Sequence, residues 1–230
     1  MDFRLQSKVQ LFEEIDKYLG EHQPDLIAMR KFECIELDGQ FHLYDKDGRI
    51  LDNYRILLQV PFEFPFAEPK VWETGGRIER TLDNHTYPSD GSCCTGVWLT
   101  WLALNRPLNF QKYVEGPLED YFTGQSLVES GDVWPYGERS HGNKGYLEAY
   151  SDLLKVDQNI EVITQHLLLL SCKKIKGHML CPCGTGLMIR KCSCRERLNS
   201  LKDSIDSKLI KAMLIQIDCI DKLMSRNANL

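Results

Sequence analysis

Val60-Pro61-Phe62-Glu63-Phe64-Pro65-Phe66-Ala67-Glu68-Pro69-Lys70-Val71-Trp72 leads, after a loop, to His85-Thr86-Tyr87-Pro88-Ser89-Asp90-Gly91-Ser92-Cys93-Cys94. The first run reads as a strand end, a Pro-rich corner and the start of a second strand, because proline cannot donate to a sheet ladder. The second run reads as a polar loop, and Asp90-Gly91-Ser92 is turn chemistry that redirects the backbone sharply ahead of a thiol. A reactive cysteine must be exposed and nucleophilic, and a loop leaving a sheet places it so. Two cysteines in a buried segment would instead be small apolar fillers.

Working outward, Val9, Phe12, Ile15 and Leu19 recur at three- and four-residue steps, which predicts a helix over 6–19 ended by Gly20. Strand-like runs follow at 29–37, 40–44 and 54–60, with turns expected at Gly39 and at Asp45-Lys46-Asp47-Gly48. Residues 70–73 supply a fourth strand after the corner. The pattern predicts an α+β fold: an N-terminal helix, a four-stranded antiparallel meander and C-terminal helices.

Regular pattern fades after the cysteine loop, where Pro107, Pro117 and Pro135 punctuate an aromatic-rich stretch. Short helices are expected over 109–122, a turn-rich loop over 134–142, and helices over 146–154 and 156–170. Leu198, Leu201, Ile205, Leu209, Met213, Ile217, Ile220 and Met224 then form one helical stripe, read as packing on the body or on a partner.

The order of these parts resembles the ubiquitin-conjugating (UBC-like) family over about residues 5–155. Phe64-Pro65-Phe66-Ala67-Glu68-Pro69-Lys70-Val71 matches the family's Pro-rich corner, and Gly91-Ser92-Cys93-Cys94 matches its nucleophile segment. The resemblance implies a UBC-like fold in which Cys94, rather than Cys93, carries a ubiquitin-like protein, or another protein's C-terminus, as a thioester. His85 stands for the histidine of the family's His-Pro-Asn element, but Thr86 and Tyr87 replace the next two residues. The amine-transfer step therefore needs another donor, for which Asn84, Tyr87 and His141 are candidates. His85 and His141 are also candidate bases, and an orienting role is the alternative for His85. The 131–142 segment resembles one in bacterial relatives, some from antiphage systems, which implies a bacterial conjugating transferase in such a defence operon. A separate adenylating enzyme and a target protein are implied as partners, since no Gly-rich nucleotide loop follows a strand here.

Cys181-Pro182-Cys183-Gly184-Thr185-Gly186 and Cys192-Ser193-Cys194 give the spacing C-x-C-x8-C-x-C. Two close thiolate pairs joined by a Gly-rich turn suit a tetrahedral zinc ion, and a closed four-ligand site is structural. The segment resembles the SEC-C motif, a small zinc-binding hairpin. Cys181, Cys183 and Cys192 are three expected ligands; the fourth is Cys194, with His178 as the alternative. Cys34, Cys172 and Cys219 read as core residues.

The 230 residues are 43% apolar and 27% charged, with a formal net charge of −5. From Cys172 onward there are 12 Lys/Arg against 5 Asp/Glu (+7), leaving 16 against 28 (−12) in residues 1–171. This asymmetry suggests two modules, with a solvated basic helix as the plainer reading. The resemblance implies residues 1–155 as the catalytic domain, leaving 156–230 as a helical, zinc-binding region. Met1-Asp2-Phe3-Arg4 opens without a secretory apolar stretch and no membrane-length run exists, so a cytoplasmic protein with no membrane partner is expected. The basic tail lacks the aromatic platforms that favour nucleic acid. Alternatives to the transferase are a non-catalytic UBC-like binding module with a zinc-stabilised tail and a thiol hydrolase, which lacks a third group to orient its histidine.

Overall fold

A computed structural model describes residues 3–137, 139–140 and 142–227, with side chains from residue 8 to residue 224 of these. They form two compact units, Met1–Gly96 with Pro107–Glu138 and Val97–Arg106 with Arg139–Leu230.

In the first unit, helix α1 (Phe3–His22) buries Leu11, Ile15, Tyr18 and Leu19. Gly20 does not end it. A glycine with open space around it weakens a helix without breaking its ladder, and the Gln23 N–H still donates to the Leu19 carbonyl at 2.8 Å. Strands β1 (Leu26–Arg30), β2 (Cys34–Tyr44), β3 (Ile50–Pro61) and β4 (Lys70–Glu73) make an antiparallel sheet in that order.

The four-stranded meander is as expected, but its first turn is not at Gly39. The chain turns at Lys31-Phe32-Glu33, and Gly39 sits inside β2 opposite Leu26. There φ is +148°, and a β-carbon would lie 2.0 Å from the Asp25 carbonyl oxygen. Glycine thus marks a close backbone approach inside a strand.

Ile35, Leu37, Phe41 and Leu43 of β2, Tyr54, Ile56, Leu58 and Val60 of β3, and Val71 of β4 are buried. Helix α3 (Phe110–Tyr113), a π-helical turn (Val114–Leu118) and helix α4 (Glu119–Glu129) supply Phe110, Tyr113, Val114, Leu118 and Phe122 to the core. Pro117 lies within the wide turn, where its missing N–H disrupts a regular α-ladder. The Phe122 ring packs 4.8 Å from Tyr54 and 5.5 Å from Phe41, seating α4 on the sheet.

The second unit is helical: α2 (Trp98–Leu104), α5 (Asn143–Leu154), α6 (Ile160–Ser171), α7 (Arg195–Ser204) and α8 (Ser207–Asn227). Helix α2 has no periodicity that reveals it; Trp98 and Trp101 stack at 4.7 Å along it. Asn159 caps α6 by accepting from the Glu161 and Val162 amides. The long C-terminal stripe is two helices, because Ile205 is extended and Asp206 restarts α8 by accepting from the Lys208 amide. Leu198, Ile205, Leu209, Met213, Ile217 and Ile220 are buried within this unit, where α8 packs on α6. Met224 is exposed. Among the described residues no helix is long and apolar enough to cross a membrane.

Candidate functional site

The thiol loop belongs entirely to the first unit. Thr86 and Cys93 form an isolated antiparallel bridge, the Tyr87 amide donates to the Ser92 carbonyl at 2.8 Å, and the Gly91 amide donates to the Tyr87 carbonyl at 2.7 Å. The Asp90 carboxylate accepts from the Ser92 hydroxyl (2.6 Å), the Ser92 amide (3.1 Å) and Lys70 Nζ (3.0 Å). These bonds, the Ser92 hydroxyl foremost, hold its carboxyl down at about 2. Trp72 Nε1 donates to the Asp90 carbonyl, and the Cys93 amide donates to Val71, so β4 anchors the loop.

The adjacent cysteines occupy different environments. Cys93 is 7% exposed, and burial pushes its thiol up to about 11. Cys94 is half-buried, and its amide donates to the His85 carbonyl at 2.7 Å. The Tyr87 hydroxyl donates to Cys94 Sγ at 3.2 Å, in an exposed position.

Of the remaining sequence-level candidates, Asn84 turns its side-chain amide to the Glu79 carbonyl at 3.2 Å. His85 adopts a left-handed backbone (φ +51°) and stacks its ring on Trp134 at 4.2 Å and 29°. His141 lies outside the described residues. Among the described candidates, Tyr87 is seen hydrogen-bonded to the sulfur.

Three supporting residues are not singled out by sequence. The Asn84 carbonyl accepts from Tyr121 Oη (3.2 Å) and Gln125 Nε2 (2.6 Å), both on α4, and Trp134 covers His85. A glutamine at a core position of α4 is the available signal: Gln125 is 4% exposed.

The second candidate site lies in the other unit. Cys181, Cys183, Cys192 and Cys194 place their sulfurs within 4.8 Å of one another, with Cys183 and Cys192 3.5 Å apart. Such spacing suits four thiolates around one ion with metal–sulfur bonds of about 2.3 Å. Gly184 (φ +81°) and Gly186 (φ +70°) let the loop turn tightly. Leu180 and Met188 form a bridge, and the Cys181 amide donates to the Leu187 carbonyl. The Thr185 hydroxyl pulls the Cys183 thiol down to about 6 and the Cys194 amide lowers that of Cys192, whereas burial raises the thiols of Cys181 and Cys194. His178 is exposed and stands outside this group of four. The donor set therefore fits a metal ion.

No family model, curated protein or solved structure matches the chain.

Proposed function

We propose that the chain is a UBC-like transferase that carries a ubiquitin-like protein, or another protein C-terminus, as a thioester on Cys94. The observation that carries this reading is the contrast within the cysteine pair. Cys93 is buried and held as a thiol, whereas Cys94 is half-buried at the end of an anchored loop with a hydroxyl donor 3.2 Å from its sulfur.

In this mechanism the Cys94 thiol loses its proton to solvent, and its sulfur attacks the carbonyl carbon of a C-terminus activated by a separate adenylating enzyme. The bond to the activating group breaks, with its electron pair leaving on that group. An amine of the target then attacks the thioester carbonyl. The carbon–sulfur bond breaks, the electron pair returns to Cys94 sulfur, and the amine's proton passes to a base. Tyr87 donates at the sulfur rather than at the carbonyl oxygen, and there its hydroxyl stabilises negative charge on Cys94 as nucleophile and as leaving group. His85 has an orienting role, since its carbonyl holds the Cys94 amide and its ring is engaged by Trp134.

Zinc held by Cys181, Cys183, Cys192 and Cys194 would act structurally, stapling the hairpin with no coordination position left for catalysis. The basic helical unit around it is assigned to docking the target or a partner, and the protein to the cytoplasm of a bacterial antiphage system.

The test is a non-reducing gel after incubation with ATP, an adenylating enzyme and its cognate ubiquitin-like protein. A dithiothreitol-sensitive adduct lost in Cys94→Ala and kept in Cys93→Ala supports the transferase. Modifier binding without an adduct favours the non-catalytic module instead.

A further inference from the structure

Resting on the reading of Cys94 as nucleophile, we propose that Trp134 is a positioning residue that sets the Cys94 backbone through His85. Three observations converge on it. Residues 131–137 are exposed except Trp134, which is half-buried, so one indole anchors this stretch; its neighbour Val133 is 85% exposed. That indole lies flat against the His85 ring, and it meets Tyr121 edge-on at 6.1 Å.

The indole also approaches α4 at a place only glycine permits. A β-carbon at Gly124 would stand 2.4, 2.6 and 2.8 Å from three carbons of the Trp134 ring. The helix thus leaves a flat seat one side chain deep, and the ring fills it. Next to the seat, Tyr121 and Gln125 of the same helix grip the Asn84 carbonyl.

His85 is where this support is needed. A left-handed conformation is strained for a residue with a β-carbon, and it persists where its surroundings over-determine it. The strain has a consequence for Cys94: it aims the His85 carbonyl at the Cys94 amide, 2.7 Å away. Helix α4 grips the residue before His85, the indole covers its ring, and its carbonyl fixes the nucleophile. Trp134 touches neither thiol nor acyl group in this scheme, so it acts by position alone.

The test combines residue-resolved amide hydrogen exchange with loading kinetics on the full chain. In Trp134→Ala, the Cys94 and Tyr87 amides should exchange about tenfold faster or more, with β2 and β3 amides unchanged. The upfield ring-current shift of the His85 ring protons should disappear. The kcat for adduct formation on Cys94 should fall about fivefold or more with KM retained, and Trp134→Phe should restore most of both effects. Should Trp134→Ala fail to fold, Gly124→Ala displaces the same ring and must produce the same local pattern.

Unchanged Cys94 protection, or acceleration spread evenly over the sheet, would overturn the proposal and leave Trp134 an ordinary packing residue. If the local exchange pattern is found but wild-type protein never loads Cys94, the clamp stands and the transferase reading falls.

Discussion

Replacing Asp52 by asparagine tests the tie that seats α4, and with it the support behind the thiol loop. Asp52 accepts two bonds from the Arg77 guanidinium (2.7 and 2.8 Å) and one from the Ser126 hydroxyl (2.7 Å). Arg77 reaches on to Glu129 at 2.6 Å and lies over the Tyr54 ring, so one guanidinium joins β3 to the end of α4. The Arg77 bonds, foremost, hold the Asp52 carboxyl at about 2 instead of 3.8.

A carboxyl held at about 2 instead of 3.8 sets a ceiling of about 2 kcal/mol. The Asp52 side chain is 18% exposed and that of Arg77 37%, so screening reduces the expected loss in Asp52→Asn to about 1 kcal/mol. A carboxyl whose folded pKa is depressed contributes fully above its unfolded value and loses the contribution as pH falls through the folded one. The difference between wild type and Asp52→Asn should therefore be constant from pH 7 to about 5 and roughly halved near pH 3. Hydrogen exchange of the α4 amides, with urea unfolding at pH 7 as a check, reads it directly. A difference below about 0.5 kcal/mol at pH 7, or one undiminished at pH 3, would refute the reasoning.

Iodoacetamide under native conditions should label Cys94 well before Cys93, a residue 7% exposed whose thiol is pushed up to about 11; equal rates by peptide mapping would contradict the contrast. Gly39→Ala should destabilise the first unit by about 3 kcal/mol or more, read as a lower urea midpoint. Its new β-carbon would fall 2.0 Å from the Asp25 carbonyl oxygen, and a silent substitution would mean that β1 moves freely. Purified protein should contain about one zinc per chain, and Cys192→Ser should lower that content and speed proteolysis within 177–194. Unaltered metal content in Cys192→Ser would remove Cys192 from the ligand set.

The meander is legible because alternating Ile35, Leu37, Phe41, Tyr54, Ile56 and Leu58 mark one buried face. Its first turn is misplaced in the sequence reading because glycine usually marks a turn, whereas Gly39 is needed where two backbones nearly touch. Helix α2 escapes because its two tryptophans stack on each other, and a seven-residue helix offers too few positions for a period to emerge. The break at Ile205-Asp206 hides inside an apolar stripe that continues in phase across it.

At the sites, the four-cysteine cluster is readable from spacing alone, since two close thiol pairs joined by a Gly-rich turn converge in a tight hairpin. Tyr87 is one of several candidate donors, and the hairpin register between Thr86 and Cys93 is what turns it toward the sulfur. Trp134 is not legible as support, because its partner His85 lies far away in sequence, and a glutamine among the apolar positions of α4 is the one hint of the Gln125–Asn84 bond.

The central claim is that one sulfur accepts an acyl group, and exchanging that atom for oxygen examines it most directly. Cys94→Ser, incubated with the adenylating enzyme, ATP and modifier, should form an ester that resists dithiothreitol and yields to mild alkali. Mass spectrometry should place it on the introduced serine, as the modifier less one water. An acyl group mapped to Cys93, to a lysine, or to no residue of this chain while the wild-type protein binds the modifier, would contradict it.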